Sequence, residues 1–171
     1  MRLKDKVAII TGGSRGIGFA TADAFLREGA KVAVAASSEK NAEAAVEKLK
    51  AIHPDAEVVG ISPNLGSFES VKEEFDKVEK QFGRIDILVN NAGVSESTPF
   101  TSYTEADFDR VIDLNVKGVF NATRAVVDGM IKNHSGVVLN TSSMVSISGQ
   151  PSGFAYPASK FAVNGLSLIH I

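Results

Sequence analysis

Val7-Ala-Ile-Ile-Thr-Gly-Gly-Ser-Arg-Gly-Ile-Gly18 decides how the rest of the chain is read. The apolar run from Val7 to Ile10 breaks at once into a cluster of small residues containing Gly12, Gly13, Gly16 and Gly18. An apolar run without alternation suits a strand covered on both faces, as in a parallel sheet. The residues from about Gly16 to Glu28 then read as a helix stopped by Gly29. In a glycine-rich turn between strand and helix, backbone N–H groups and the positive end of the helix dipole can receive a pyrophosphate. The spacing Gly12, Gly16, Gly18 departs from the general dinucleotide signature G-x-G-x-x-G, and a merely tight connection is the plainer alternative.

Outward from this unit the pattern repeats. Lys31–Ala35 is a second apolar run, and Ser38 caps a helix whose buried stripe is predicted to be Ala45, Val46, Leu49 and Ile52. Glu57–Ile61 reads as a third strand. The next helix begins near Ser67, carries Val71, Phe75, Val78 and Phe82 on one face, and ends at Gly83. Ile85–Val89 is a fourth strand running into Asn90-Asn-Ala-Gly93. Thr104 with Asp107 resembles a capping box, opening a long helix to about Lys132 with Phe108, Val111, Ile112, Val116, Val119 and Phe120 as its apolar side. Val137–Leu139 is a fifth strand, followed by a loop of small polar residues and a helix from Tyr156. Strands separated by helix-length segments imply right-handed crossovers, hence an α/β, doubly wound parallel sheet of Rossmann type.

With 171 residues, one domain is expected. Hydrophobic residues at 44% and charged residues at 22% are those of a globular protein, and a net charge of −2 supplies no general attraction for nucleic acid or an anionic membrane. The absence of cysteine excludes disulfides and thiolate catalysis. His53, His134 and His170 share no ligand spacing, so no metal site is expected. The apolar run after the basic N-terminus is too short for a signal peptide or membrane span, which makes the cytoplasm the expected location.

Several residues look chemically purposeful. A carboxylate that would bind the adenosine ribose at the end of the second strand is missing from Ala35-Ala-Ser-Ser38, and Arg15 could attract a 2′-phosphate there, so NADP is favoured over NAD. Asn90-Asn-Ala-Gly93 lies at the carboxyl edge where doubly wound sheets bind ligands, although an Asx turn would use the same residues. Asn115 sits between Leu114 and Val116 in an apolar helical stretch, so it is either a satisfied core amide or faces a site. Tyr156 and Lys160 fall one helical turn apart on one face, with Pro157 fixing the helix start. An ammonium there would lower the phenol's pKa toward a range useful for proton transfer. Ser143 could donate to an oxygen gaining charge, with Ser142, Ser146 and Ser148 as rivals.

Taken together, Thr11-Gly-x-x-x-Gly-x-Gly18, Asn90-Asn-Ala-Gly93, Asn115, Ser143 and Tyr156-x-x-x-Lys160 resemble the short-chain dehydrogenase/reductase family, in the family's order and over essentially residues 5 to 165. The resemblance implies an NAD(P)-dependent oxidoreductase interconverting a secondary alcohol and a ketone. Tyr156 would be the general acid/base, and Lys160 would lower its pKa and bind the nicotinamide ribose. Ser143 would orient the substrate, and Asn115 would support a water in the proton relay. It also implies cofactor contacts from Gly12, Ser14, Arg15, Gly16, Ile17 and Gly18, from Ser37, from Asn64 and Leu65 beside the adenine, and from Asn91, Ala92 and Gly93, besides Tyr156 and Lys160. Asn64-Leu65 stands where the family usually has Asp-Val.

Within the family, the motifs look similar to those of bacterial bile-acid 3α-hydroxysteroid dehydrogenases and 3-oxoacyl-carrier-protein reductases. The resemblance further implies a C-terminally truncated domain over residues 1–165 and a homodimer or homotetramer for the full-length form. Leu166-Ser-Leu-Ile-His-Ile171 is also the translation of a transposon end sequence, so residues 166–171 are expected to be a non-native tail. The alternative to an enzyme is a nucleotide-binding fragment without catalysis.

Overall fold

Strand β1 (Val7–Thr11) is buried along its whole length, as its unalternating apolar sequence requires. In the computed structural model, which describes residues 1–167, it pairs in parallel with β2 (Lys31–Ala35) on one side and β4 (Ile87–Asn90) on the other. With β3 (Val58–Ile61) and β5 (Val137–Asn140) the sheet has the order β3-β2-β1-β4-β5, all parallel. The order reverses between β1 and β4, and the crevice beyond their carboxyl ends is the ligand position of such sheets.

The alternation of side chains along each strand divides the core into two layers. Val7, Ile9, Ala33 and Ala35 pack with Val71, Phe75 and Val78 of α3 (Phe68–Phe82) and with Ala122, Val126 and Met130 of α5 (Gly118–Lys132). Ala8, Ile10, Val32 and Val34 face the other way, onto Ala22 and Leu26 of α1 (Gly16–Arg27) and Ala45 and Leu49 of α2 (Glu39–Ile52). Ser38 caps α2 and Ser67 caps α3, each hydroxyl accepting from the backbone N–H three residues on. Gly83 ends α3 in the left-handed region at φ 88°, which its missing Cβ permits.

Several expectations are corrected. Ile52 is 56% exposed at the last turn of α2, where the helix has passed the sheet; Ala42 completes the buried stripe instead. Beyond its Thr104–Asp107 capping box the long helix is interrupted. It runs as α4 (Glu105–Ile112), a π-helical turn (Asp113–Lys117) and α5. Val111, Asn115, Gly118, Val119 and Ala122 keep one inward face through the π turn, and Phe120, about half a turn round from Val111, is 54% exposed. The predicted start of β4 at Ile85 moves to Ile87. Before it, the buried Asp86 carboxylate accepts from the Val7 N–H at 3.0 Å and pairs with Arg84 at 2.6 Å. The loop after β5 contains a short helix, α6 (Val145–Ser148), and the last helix, α7 (Ala155–Ser167), starts one residue before Tyr156. Leu166 and Ser167 of the expected tail continue α7; residues 168–171 lie outside the described residues.

Candidate active site

Thr11, at the end of β1, fastens the two strands on either side of the crevice. Its hydroxyl donates to the Val89 carbonyl at 3.4 Å and accepts from the backbone N–H groups of Asn91 and Ala92, both at 3.0 Å. The Asn91 side chain reaches back, donating to the carbonyls of Thr11 (3.1 Å) and Gly12 (3.3 Å). Asn91 is thereby held as a brace between the glycine turn and the Asn-Asn-Ala-Gly segment. Asn90 is buried, its amide donating to Thr123 (3.1 Å) and Asn140 (2.9 Å).

The glycines in the turn answer to this brace. Gly12 has φ 65°, and a Cβ on it would stand 2.9 Å from Ala92 Cα. A Cβ on Gly18 would collide with the Gly12 carbonyl, so α1 is brought against the turn as only glycine allows. A cleft of about 800 Å³ opens over them. One side is lined by Gly12, Ser14, Arg15, Gly16 and Ile17. Ser37, Asn64 and Leu65 stand at the ends of β2 and β3, and Asn91, Ala92 and Gly93 follow β4. Gly18 is buried behind the turn, and Tyr156 and Lys160 lie beyond the lining.

Gly93 joins the cleft to the second cluster. A Cβ there would be 3.2 Å from Asn115 Oδ1 and 3.7 Å from Lys160 Nζ. Asn115, 1% exposed in the π turn, accepts from the Val94 N–H at 2.9 Å and donates to the Val94 carbonyl at 2.8 Å and to Ser159 Oγ at 3.0 Å. It is thus a satisfied buried amide that also borders the site. Ser159 donates to the Tyr156 carbonyl at 2.7 Å, fixing the first turn of α7. Lys160 is 5% exposed and donates to the Thr141 carbonyl at 2.8 Å; its Nζ lies 5.7 Å from the Tyr156 ring centre. Burial pushes the Lys160 pKa down from its ordinary value, because the charged form loses hydration.

The serines after β5 are differently engaged. Ser142 donates to Asn164 Oδ1 at 2.6 Å. Ser146 donates to the Ser143 carbonyl at 2.5 Å and accepts from Asn164 at 2.9 Å, and Ser148 donates back to the Met144 carbonyl at 3.1 Å. The Ser143 hydroxyl accepts from the Val145 N–H at 3.4 Å, which leaves its proton available to a ligand.

Three contributors escaped the sequence reading. Glu96 accepts from the Tyr156 N–H at 3.1 Å, so an acid from the loop after β4 caps α7. Its Oε2 and the Tyr103 hydroxyl are buried without a hydrogen-bond partner among the described residues, and the Tyr103 pKa is raised by burial first and then by the Glu96 carboxylate. Asn41 and Lys48 of α2 line the cleft. Lys48 follows Asn41 by seven residues, a same-face spacing that could have flagged it; nothing in the local sequence ties Glu96 to Tyr156, sixty residues on. Among the described residues no cluster of His, Asp and Glu suits a metal ion, and no helix is long and apolar enough to cross a membrane.

Residues 6–169 match the short chain dehydrogenase family. The chain belongs to that family. It is 51% identical over 167 residues to the 3alpha-hydroxysteroid dehydrogenase of Mediterraneibacter gnavus, covering 98% of this chain and 67% of that one. With the 3-oxoacyl-acyl-carrier-protein reductase FabG of Thermotoga maritima it shares 40% identity over the same coverages. Among solved structures, levodione reductase superimposes with a TM-score of 0.92 at 37% identity, over 96% of this chain and 64% of its own. NAD+-bound xylitol dehydrogenase gives 0.92 at 34%, over 97% and 64%. The chain therefore spans about two thirds of the length of these dehydrogenases and reductases.

Proposed function

We propose that this chain carries the cofactor-binding and proton-transfer parts of an NAD(P)-dependent oxidoreductase interconverting a secondary alcohol and a ketone. Residues 1–165 form its dinucleotide-binding domain, and the relatives favour a hydroxysteroid or 3-oxoacyl type of substrate. The observation that carries the reading is Gly93, which borders the cleft on one side and Asn115 and Lys160 on the other. A dinucleotide fits the residues present: the turn around Gly12 and Gly18 keeps open the space that side chains would fill, at the N-terminus of α1.

When bound, a reduced nicotinamide supplies the hydride for the carbonyl carbon. The phenol of Tyr156 gives its proton to the oxygen that gains charge, and the Ser143 hydroxyl donates a hydrogen bond to it. Lys160, one turn along α7, favours the resulting phenolate and receives the nicotinamide ribose. Asn115 holds the Val94 backbone and Ser159 in place and supports the water that restores the phenol's proton. In the alcohol-to-ketone direction the same groups run in reverse, with the phenolate as base. NADP is favoured over NAD because β2 ends in Ala35-Ala36-Ser37, without a carboxylate to repel a 2′-phosphate, and Arg15 lines the cleft.

The test is turnover of a carbonyl panel with NADPH and NADH by the full-length protein. Tyr156→Phe is expected to lower turnover by about 10²- to 10⁴-fold while leaving cofactor affinity largely unchanged. Near-normal turnover in that variant would contradict the assignment.

A further inference from the structure

Helix α2 sorts its charged residues by face. Glu39, Glu43 and Glu47 line a second cleft, of about 850 Å³, between α2, β3 and α3. Asn41, Ala44 and Lys48 line the nucleotide cleft instead. The two sets repeat at helical spacing on different faces, so negative charge is kept away from the nucleotide side. The charged residues lining the nucleotide cleft are Arg15, at its glycine turn, and Lys48, and no carboxylate joins them. Neither cation is held in an ion pair among the described residues.

Side chains on a helix lean toward its N-terminus, so the stem of Lys48 runs back over Ala44 toward Asn41. Asn41 in turn donates to the Ser37 hydroxyl at 3.3 Å, which marks the end of β2. Seven residues of helix rise about 10 Å, and an extended lysine stem covers more than half of that. The pyrophosphate is already provided for by the backbone of the glycine turn and the α1 N-terminus. The cleft lining keeps two further cations without an ion-pair partner among the described residues, Arg15 beside the turn and Lys48 on α2, together with the neutral side chains of Ser37 and Asn41.

We infer that Lys48 is a specificity-determining residue, which works with Arg15 to receive a phosphate on the 2′ position of the adenosine ribose. The inference rests on the dinucleotide reading above and adds to it a residue that selects NADP. The experiment is calorimetric titration of the purified chain with 2′,5′-ADP and with 5′-AMP, probes that differ in the 2′-phosphate and need no turnover. The wild-type chain is expected to bind 2′,5′-ADP at least about tenfold more tightly than 5′-AMP. Lys48→Ala is expected to reduce that preference about three- to tenfold without changing 5′-AMP binding, and Lys48→Arg to retain most of it. Lys48 is exposed, so circular dichroism of Lys48→Ala is expected to match the wild type. A preference unaltered in Lys48→Ala, or equal loss for both ligands, would overturn the role of Lys48. Equal binding of both ligands by the wild type overturns it while leaving the dinucleotide reading intact. Binding of neither removes the dinucleotide reading and the inference with it.

Discussion

Lys160 combines burial with charge, and its usefulness has a cost in stability. Its pKa is lowered in the folded state by desolvation, so between the folded and unfolded values the unfolded chain binds more protons. Stability from this group therefore rises with pH toward the ordinary lysine range, and the penalty is fully present below the folded pKa. The expected outcome is that wild type gains stability relative to Lys160→Met as pH is raised from neutrality into that range. Urea unfolding of both proteins across pH checks it, and a pH-independent difference would refute the burial argument. Residues of this kind were legible where chemistry dictates identity. Gly12 and Gly18 stand where a Cβ meets backbone, and Tyr156 and Lys160 share a helix face. Glu96 was not legible, because a carboxylate is ordinary on any surface and only the tertiary structure brings it to the Tyr156 N–H.

At the scale of elements, the interrupted helix carries most of the information. The capping box at Thr104 and Asp107 was readable because its residue types and spacing define it. The π turn was not, because Asn115 within it bonds both the N–H and the carbonyl of Val94, a partner in another segment that only the tertiary structure brings there. Phe120, expected on the apolar side, stands nine residues on from the buried Val111, about half a turn round at 3.6 residues per turn, and is found outside. Asn115→Leu would leave the Val94 N–H and carbonyl without their partners at a buried position. It is expected to cost about 2 kcal/mol or more in urea unfolding. A change below about 0.5 kcal/mol would mean that Val94 finds other partners and that the amide is not what holds the loop after β4.

For the molecule as a whole, the parallel order β3-β2-β1-β4-β5 follows from the βα repeat, and the sequence reading of five strands with helices on both faces holds. What periodicity could not supply is how the two halves of the site meet. The distance from the glycine turn to Lys160 is closed through Thr11, Asn91, Gly93 and Asn115, a chain of contacts between segments remote in sequence. β5 forms the edge of the sheet, with Val137 50% and Leu139 48% exposed, so the Ser143 loop grows from the less covered side of the fold. The central claim is that the crevice at the β1/β4 switch is a nicotinamide dinucleotide site continuous with Tyr156 and Lys160. Titration of the folded chain with NADPH, followed by nicotinamide fluorescence, tests it most directly. The predicted result is saturable binding with a dissociation constant below about 1 mM, reversed by 2′,5′-ADP; a folded chain that shows no saturable change in the fluorescence would contradict it.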